Sequence, residues 1–318
     1  MDVLLTGSVA YDYLMTFPGL FVEQILPERL ASISLSFLVD SMSKQRGGIA
    51  PNIAYTMALL GECPRVMATV GEDFEEYRKW LDSKGVDTSL MQVVPGLFTA
   101  SFFATTDKAS AQIASFYPGA MGVASLQSLK DLVIRPDIVV VSPNAPDAMT
   151  KFAAESRELG IKYLYDPGQQ VLRIEGSELC RDMECAYFLF CNDYEYGLIS
   201  KKTGWDLNEI LKHVKILVVT RGKEGAHLYT DGQEVFIPTV PEDMIVDPTG
   251  VGDAFRAGFL TGYSRGFDWK LCGEIGSLAA VYCLEQRGPQ SHSYTRTEFV
   301  ARFRKHFDDQ GKLDVLLI

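Results

Sequence analysis

Asp247-Pro248-Thr249-Gly250-Val251-Gly252-Asp253, running on into Ala254-Phe255-Arg256-Ala257-Gly258-Phe259-Leu260, reads as a turn that delivers two glycines and a carboxylate to the start of a buried helix. The first turn of a helix carries N–H groups without carbonyl partners and a partial positive charge, and together these hold an anion. Gly250 and Gly252 let the backbone approach such an anion closely. A carboxylate beside an anion is repelled unless chemistry needs it there. Asp253 is therefore a candidate base, orienting or deprotonating an attacking hydroxyl. An ordinary glycine turn capped by an aspartate accounts for the same residues.

The rest of the chain decides between the two. Its 318 residues, 47% hydrophobic and 22% charged, suffice for one large α/β domain or for a domain with a small insert. A formal net charge of −11 argues against nucleic acid as a partner. A phosphate site on such a chain has to be local, built from backbone amides, a few cations or a bound metal. The six cysteines contain no CxxC pair, and reduced thiols are expected rather than disulfides or zinc ligands. His213, His227, His292 and His306 are scattered and form no HExxH. With no charged-then-apolar leader and no apolar run of about 18 residues, a cytoplasmic protein without a membrane partner is expected.

Val3-Leu4-Leu5-Thr6-Gly7 predicts a buried first strand. Asp12 is expected just past its carboxyl end, where α/β sheets gather ligands, although a solvated loop aspartate fits equally. Residues 33–39 alternate apolar side chains with serines, which predicts a half-exposed strand. A further exposed pair is expected at about 98–105 and 112–117. These segments would form a small antiparallel sheet, with about 13–46 and 97–118 inserted in a single domain spanning 1–318. It reads as a lid or as the surface of a homodimer.

Between them, Gly47-Gly48-Ile49-Ala50-Pro51-Asn52 precedes a helical pattern at 53–60. Proline fits a first helical turn, and the glycines offer exposed amides or simply a tight loop. Apolar runs at 66–70, 138–142, 163–166, 187–191 and 217–220 then alternate with helical stretches near 73–83, 146–159, 193–201 and 206–213. A hairpin is expected at 226–229 and 234–237, followed by helices near 251–265, 269–285 and 296–308. Apolar strands separated by helices predict a largely parallel sheet covered on both faces.

No GxxxxGK[ST] is present, and Asp253-Ala254-Phe255 breaks a GxGxxG pattern, so P-loop and dinucleotide-binding readings are disfavoured. Asn192-Asp193-Tyr194-Glu195 and Thr220-Arg221-Gly222-Lys223-Glu224-Gly225 each follow an apolar run. With Asp12, Gly47-Gly48…Asn52 and 247–253, they make five signals at one edge of one sheet.

This set resembles the ribokinase-like (PfkB) carbohydrate and nucleoside kinase family, over essentially the whole chain. The resemblance implies a three-layer αβα fold with a small β lid. It places the catalytic base on Asp253 and an anion hole on the amides of Gly250, Val251 and Gly252. Pro248 and Val251 depart from the family's usual threonine and alanine. The sugar-hydroxyl ligand falls on Asp12, and the GGxxxN substrate motif on Gly47, Gly48 and Asn52. The NxxE motif, tied to magnesium through water, falls on Asn192 and Glu195, and the TxGxxG nucleotide segment on Thr220, Gly222 and Gly225. ATP and Mg2+ are the implied cofactors, with a potassium-like ion near Asp247 in some members.

Residues 114–120, 165–170 and 285–290 look like prokaryotic adenosine kinases of this family. Phe98, Phe102, Phe103 and Phe116 in the lid segments can stack on a purine or fill the lid's own core, and Phe116 is the stacking candidate. Ser8 is a candidate contact to the base. The expected reaction is phosphorylation of a nucleoside 5′-hydroxyl, adenosine to AMP. A ribokinase- or fructokinase-type sugar kinase and a non-catalytic nucleoside or sugar sensor are the alternatives.

Overall fold

The computed structural model describes residues 1–26, 31–32, 34–230 and 232–317. The chain opens with β1 (Val3–Thr6) and β2 (Ala10–Thr16), then passes through α1 (Phe21–Gln24) to β3 (Ser41–Gly47). Next come α2 (Ile49–Leu59), β4 (Arg65–Val70), α3 (Glu75–Ser83), β5 (Met91–Val93), β6 (Ala100–Thr106) and β7 (Gln112–Tyr117). Alternation follows through β8 (Ile138–Val141), α4 (Pro146–Leu159), β9 (Lys162–Tyr165), α5 (Gly176–Met183), β10 (Phe188–Asn192), α6 (Asp193–Thr203), α7 (Leu207–His213) and β11 (Ile216–Thr220). The hairpin β12 (Ala226–Thr230) and β13 (Gln233–Ile237) leads to α8 (Val251–Ser264), α9 (Trp269–Leu284) and α10 (Arg296–His306).

Nine strands form one sheet in the order β13-β12-β11-β10-β9-β8-β1-β4-β5. It is parallel from β11 to β5, and the terminal hairpin runs antiparallel. Successive strand residues point to opposite faces, and the chain uses both. Val3, Leu5, Phe188 and Phe190 pack with Ile53 of α2 and with Phe255 and Phe259 of α8. Leu4, Val139 and Leu189 pack on the other side with Phe152, Leu179, Ile199 and Ile210, contributed by α4 to α7. Helices therefore cover both faces, as the continuous apolar runs predict. A third cluster seals α9 against α10.

The second sheet has the order β3-β2-β6-β7. Its outer pairs are antiparallel, but β2 and β6 run parallel, because the chain crosses the main sheet between them. The sheet is therefore not wholly antiparallel as expected, and two further expectations fail here. Residues 34–39 form no strand, and Ile33 lies outside the described residues. Phe37 instead packs on Phe17 and Phe21, with ring centroids 5.1 and 4.9 Å away. The strand is β3, whose register with β2 runs from Thr16 opposite Ser41 to Ala10 opposite Gly47. Asp12 likewise lies inside β2 and not in a loop beyond β1, since hydrogen bonding on both sides carries the strand through it.

Helix α2 starts at Ile49, four residues before the predicted pattern, and α5 and β5 were not expected at all. No helix among the described residues is long and apolar enough to cross a membrane.

Candidate active site

The turn that opens at Asp247 ends on Gly250, which caps α8 at φ 80°. A Cβ at Gly250 would lie 2.4 Å from the Pro289 Cβ, so both its conformation and its surroundings demand glycine. Val251, Gly252 and Asp253 form the first turn of α8, where amides have no carbonyl in their own helix. Asp253 is partly buried, and its Oδ2 accepts from Asn52 Nδ2 at 2.9 Å. Burial pushes its pKa up to about 7, opposed by Arg256 and by the Asn52 bond.

Asn52 reaches Asp253 because Gly48 caps α2 at φ 95°. A Cβ at Gly48 would sit 2.5 Å from the Ser8 carbonyl oxygen. Ser8 Oγ accepts from the first α2 amide, Ile49 N, at 3.2 Å. In this structure Ser8 thus supports the helix start. Asn52 is buried, and its Oδ1 accepts from Gln290 Nε2 at 2.9 Å.

The small sheet brings Asp12 to the same place. A Cβ on Gly47 would come within 2.7 Å of Asp12 Oδ2. Burial, then the neighbouring Asp247, raises the Asp12 pKa to about 6. Gln45, Asp12, Phe102 and Phe116 occupy one register row across β3, β2, β6 and β7, so their side chains share a face. Phe116 is 45% exposed on that face. Phe103 points the other way and stacks on Tyr13 with centroids 4.8 Å apart. Asp247 is committed locally: Oδ1 accepts from Thr249 N and Oδ2 from Gly288 N, both at 2.9 Å.

Asn192 and Glu195 form a capping box on α6, each side chain accepting the other's backbone N–H at 2.8 Å. Thr220 lies opposite Asn192 in the sheet. The turn after it closes through Arg221 N to Gly225 O at 2.8 Å, with Gly222 at φ 55° and Gly225 at φ 89°.

Three further residues were not assigned roles by sequence. Asp166, buried after β9, accepts from Arg256 Nη2 at 2.9 Å, and Arg256 Nη1 donates to Gly252 O at 2.9 Å. Burial works against the Arg256 charge, but Asp166 and then Asp253 outweigh it and keep the guanidinium protonated. Glu195 is raised by burial and then by Asp166. Gln290 completes the set. Arg256 was visible as a neighbour of the turn, but one sequence cannot show that it points inward; Arg221 pairs with Asp193 at 3.2 Å.

Asp12, Glu195 and Asp253 are thus three carboxylates with raised pKa values, and perturbed groups of this kind concentrate at functional sites. A separate cavity of about 510 Å³ between Cys185, His213 and Gly232 lies at the opposite, amino end of β10 and β11. No group of three or more metal-ligating side chains stands together among the described residues.

Fold and site together define an α/β protein of the ribokinase class. The sequence matches the family described as pfkB family carbohydrate kinase over residues 6–296, and the chain belongs to that family. It is 30% identical over 302 residues to the nucleoside kinase of Methanocaldococcus jannaschii, covering 94% of this chain and 96% of that one. Among solved structures it is similar to Burkholderia thailandensis nucleoside kinase in complex with inosine: TM-score 0.85, 37% identity, 96% of this chain and 98% of that one. The same enzyme in complex with ADP-inosine gives a TM-score of 0.84 at 38% identity, with 96% of both chains covered.

Proposed function

We propose that this chain is an ATP-dependent nucleoside kinase that transfers the γ-phosphoryl group to a nucleoside 5′-hydroxyl, adenosine to AMP being the reaction expected. The observation that carries the reading is Asp253, held in the first turn of α8 by Asn52 from the first turn of α2. Relatives named as nucleoside kinases over nearly the whole chain favour a nucleoside over a bare sugar.

Asp12 accepts hydrogen bonds from the two vicinal hydroxyls of the ribose. The 5′-hydroxyl then faces Asp253, which takes its proton late, as the oxygen reaches a loose, metaphosphate-like centre. The amides of 250–252 meet the charge that develops on the transferred phosphoryl oxygens. The turn from Thr220 to Gly225 receives the nucleotide. Glu195, partly buried beside the buried Asp166, would hold a magnesium ion through its water shell, because a divalent cation would relieve the repulsion between these two carboxylates. Bound there, the ion would supply positive charge to the phosphate oxygens. Asp247 is the residue nearest to a monovalent-cation role. The base lies along the row through Phe102 and Phe116.

An acceptor panel with ATP and magnesium tests this. Adenosine, inosine and cytidine are expected to exceed ribose and fructose in kcat/KM by roughly a hundredfold or more, with adenosine highest. Adenosine phosphorylated no better than ribose or fructose sinks the reading. Saturable binding without turnover on any acceptor points to a sensor.

A further inference from the structure

We propose that Gln290 is a positioning residue that turns the Asn52 amide so that its N–H, and not its carbonyl, faces Asp253. The proposal rests on the kinase reading for its catalytic consequence but on geometry for its substance. Four hydrogen bonds run outward from Gln290 Nε2 in two arms, one to the Gly47 carbonyl and one to Asp253. The Gly47 carbonyl can only accept, and Tyr77 Oη donates to it at 2.9 Å. Tyr77 Oη, its proton committed, is left to accept, and Gln290 Nε2 donates to it. The same Nε2 donates to Asn52 Oδ1 at 2.9 Å. With Oδ1 engaged, Asn52 presents Nδ2 to Asp253 Oδ2 at 2.9 Å.

The chain cannot be reversed without penalty, because it ends on a backbone carbonyl at one side and a carboxylate at the other. An inverted Asn52 would set its oxygen against Asp253. Water is excluded as a substitute donor: Gln290 is 6%, Asn52 5% and Tyr77 0% exposed. Gln290 Oε1 is itself buried without a hydrogen-bond partner. An amide kept in the core with an unpaired oxygen, where methionine or leucine would pack without that cost, is explained by what its nitrogen does.

Asp253 is also faced by Arg256 on α8, Asp166 after β9, Glu195 on α6 and Cys283 on α9, and none of these is altered in the variants below. Gln290→Met removes the donor at similar volume. Gln290→Glu, as a carboxylate, offers only acceptors and reverses the chain. Turnover of the preferred acceptor across pH is measured for both, alone and combined with Asn52→Ala, with thermal unfolding as the check on folding. Gln290→Met is expected to lower kcat about tenfold to a hundredfold, leave the ATP KM within about twofold and move the acid limb of the rate profile to higher pH. Gln290→Glu is expected to move that limb further.

In the Asn52→Ala background neither change should lower kcat again by more than about twofold. An unmoved acid limb in folded variants, or an undiminished effect in that background, overturns the proposal. Crystal structures supply a readout free of turnover: in Gln290→Met, Asn52 Nδ2 should leave Asp253 Oδ2. A retained contact overturns the proposal whatever the enzyme phosphorylates. Absence of turnover in the wild type on every acceptor overturns the functional reading instead, and the crystal structures then decide this one alone.

Discussion

Asn52 Nδ2 and Asp253 Oδ2 stand 2.9 Å apart although 201 positions separate them in sequence. That bond ties the start of α2 to the start of α8, so two helix N-termini address one point. A carboxylate at such a point is stabilised when ionised by the amide and by Arg256, and opposed by burial. The balance leaves it able to exchange a proton near neutral pH.

Asp253→Asn keeps shape and removes the proposed base. Turnover should fall by roughly 10²–10⁴-fold, while ATP affinity, measured by calorimetry, stays within a few-fold. A mild loss of turnover would remove Asp253 from the chemistry.

Asp12→Ala should act on the other substrate. Asp12 lies in β2 beside Gly47, and the diol it would read belongs to the acceptor. The acceptor KM should rise about tenfold to a hundredfold with little change in the ATP KM. Equal weakening of both substrates would refute the diol assignment.

The pH dependence has a definite sign. Asp253, at about 7, and Asp12, at about 6, are both raised above the usual carboxylate value. Activity that needs Asp253 ionised should fall as pH drops through about 7. For stability, the folded state keeps a proton that the unfolded chain has released between about pH 4 and 7. Stability from this source is therefore lost as pH rises through that window. Asp253→Asn should unfold at a temperature that gains on the wild type as pH rises from 4 to 8. A pH-independent difference would show that burial does not raise this carboxyl.

Gly48→Ala tests the frame that carries Asn52. With φ at 95° and the Ser8 carbonyl 2.5 Å from the new Cβ, strain of about 1–3 kcal/mol and displacement of the α2 start are expected. Chemical denaturation would report the loss. Unchanged stability would mean that the turn relaxes freely.

What sequence could see follows from how local each signal is. The parallel sheet was legible because its strands are apolar on both faces, and the cap at Gly250 because turn and helix adjoin in the chain. The strand at 33–39 failed because period-two alternation shows only that a segment suits a half-buried edge; pairing with β2 selected Ser41–Gly47 instead. The NxxE pair shows a second limit. It reads as a capping box and as a cation site from the same residues, and the structure contains the capping box. Gln290 reaches Asn52 across 238 positions and Tyr77 across 213, and Asp166 reaches Arg256 across 90, beyond any periodicity or spacing rule.

The row Gln45–Asp12–Phe102–Phe116 makes the last prediction. Adjacent strands lie about 4.8 Å apart, so Phe102 is one strand and Phe116 two strands from the residue that would hold the ribose. On the proposed reading, a base attached to that ribose would extend along the row, over the exposed Phe116. Stacking on one aromatic ring contributes about 1–3 kcal/mol, which corresponds to roughly fivefold to more than a hundredfold in affinity. Phe116→Ala should therefore raise the KM for nucleosides within that range and leave the turnover of ribose, which has no base to stack, almost unchanged. Phe103→Ala, whose ring stacks on Tyr13 on the opposite face, should lower stability without that selectivity. Equal effects of Phe116→Ala on nucleosides and ribose would show that its ring supports the small sheet and does not read the base.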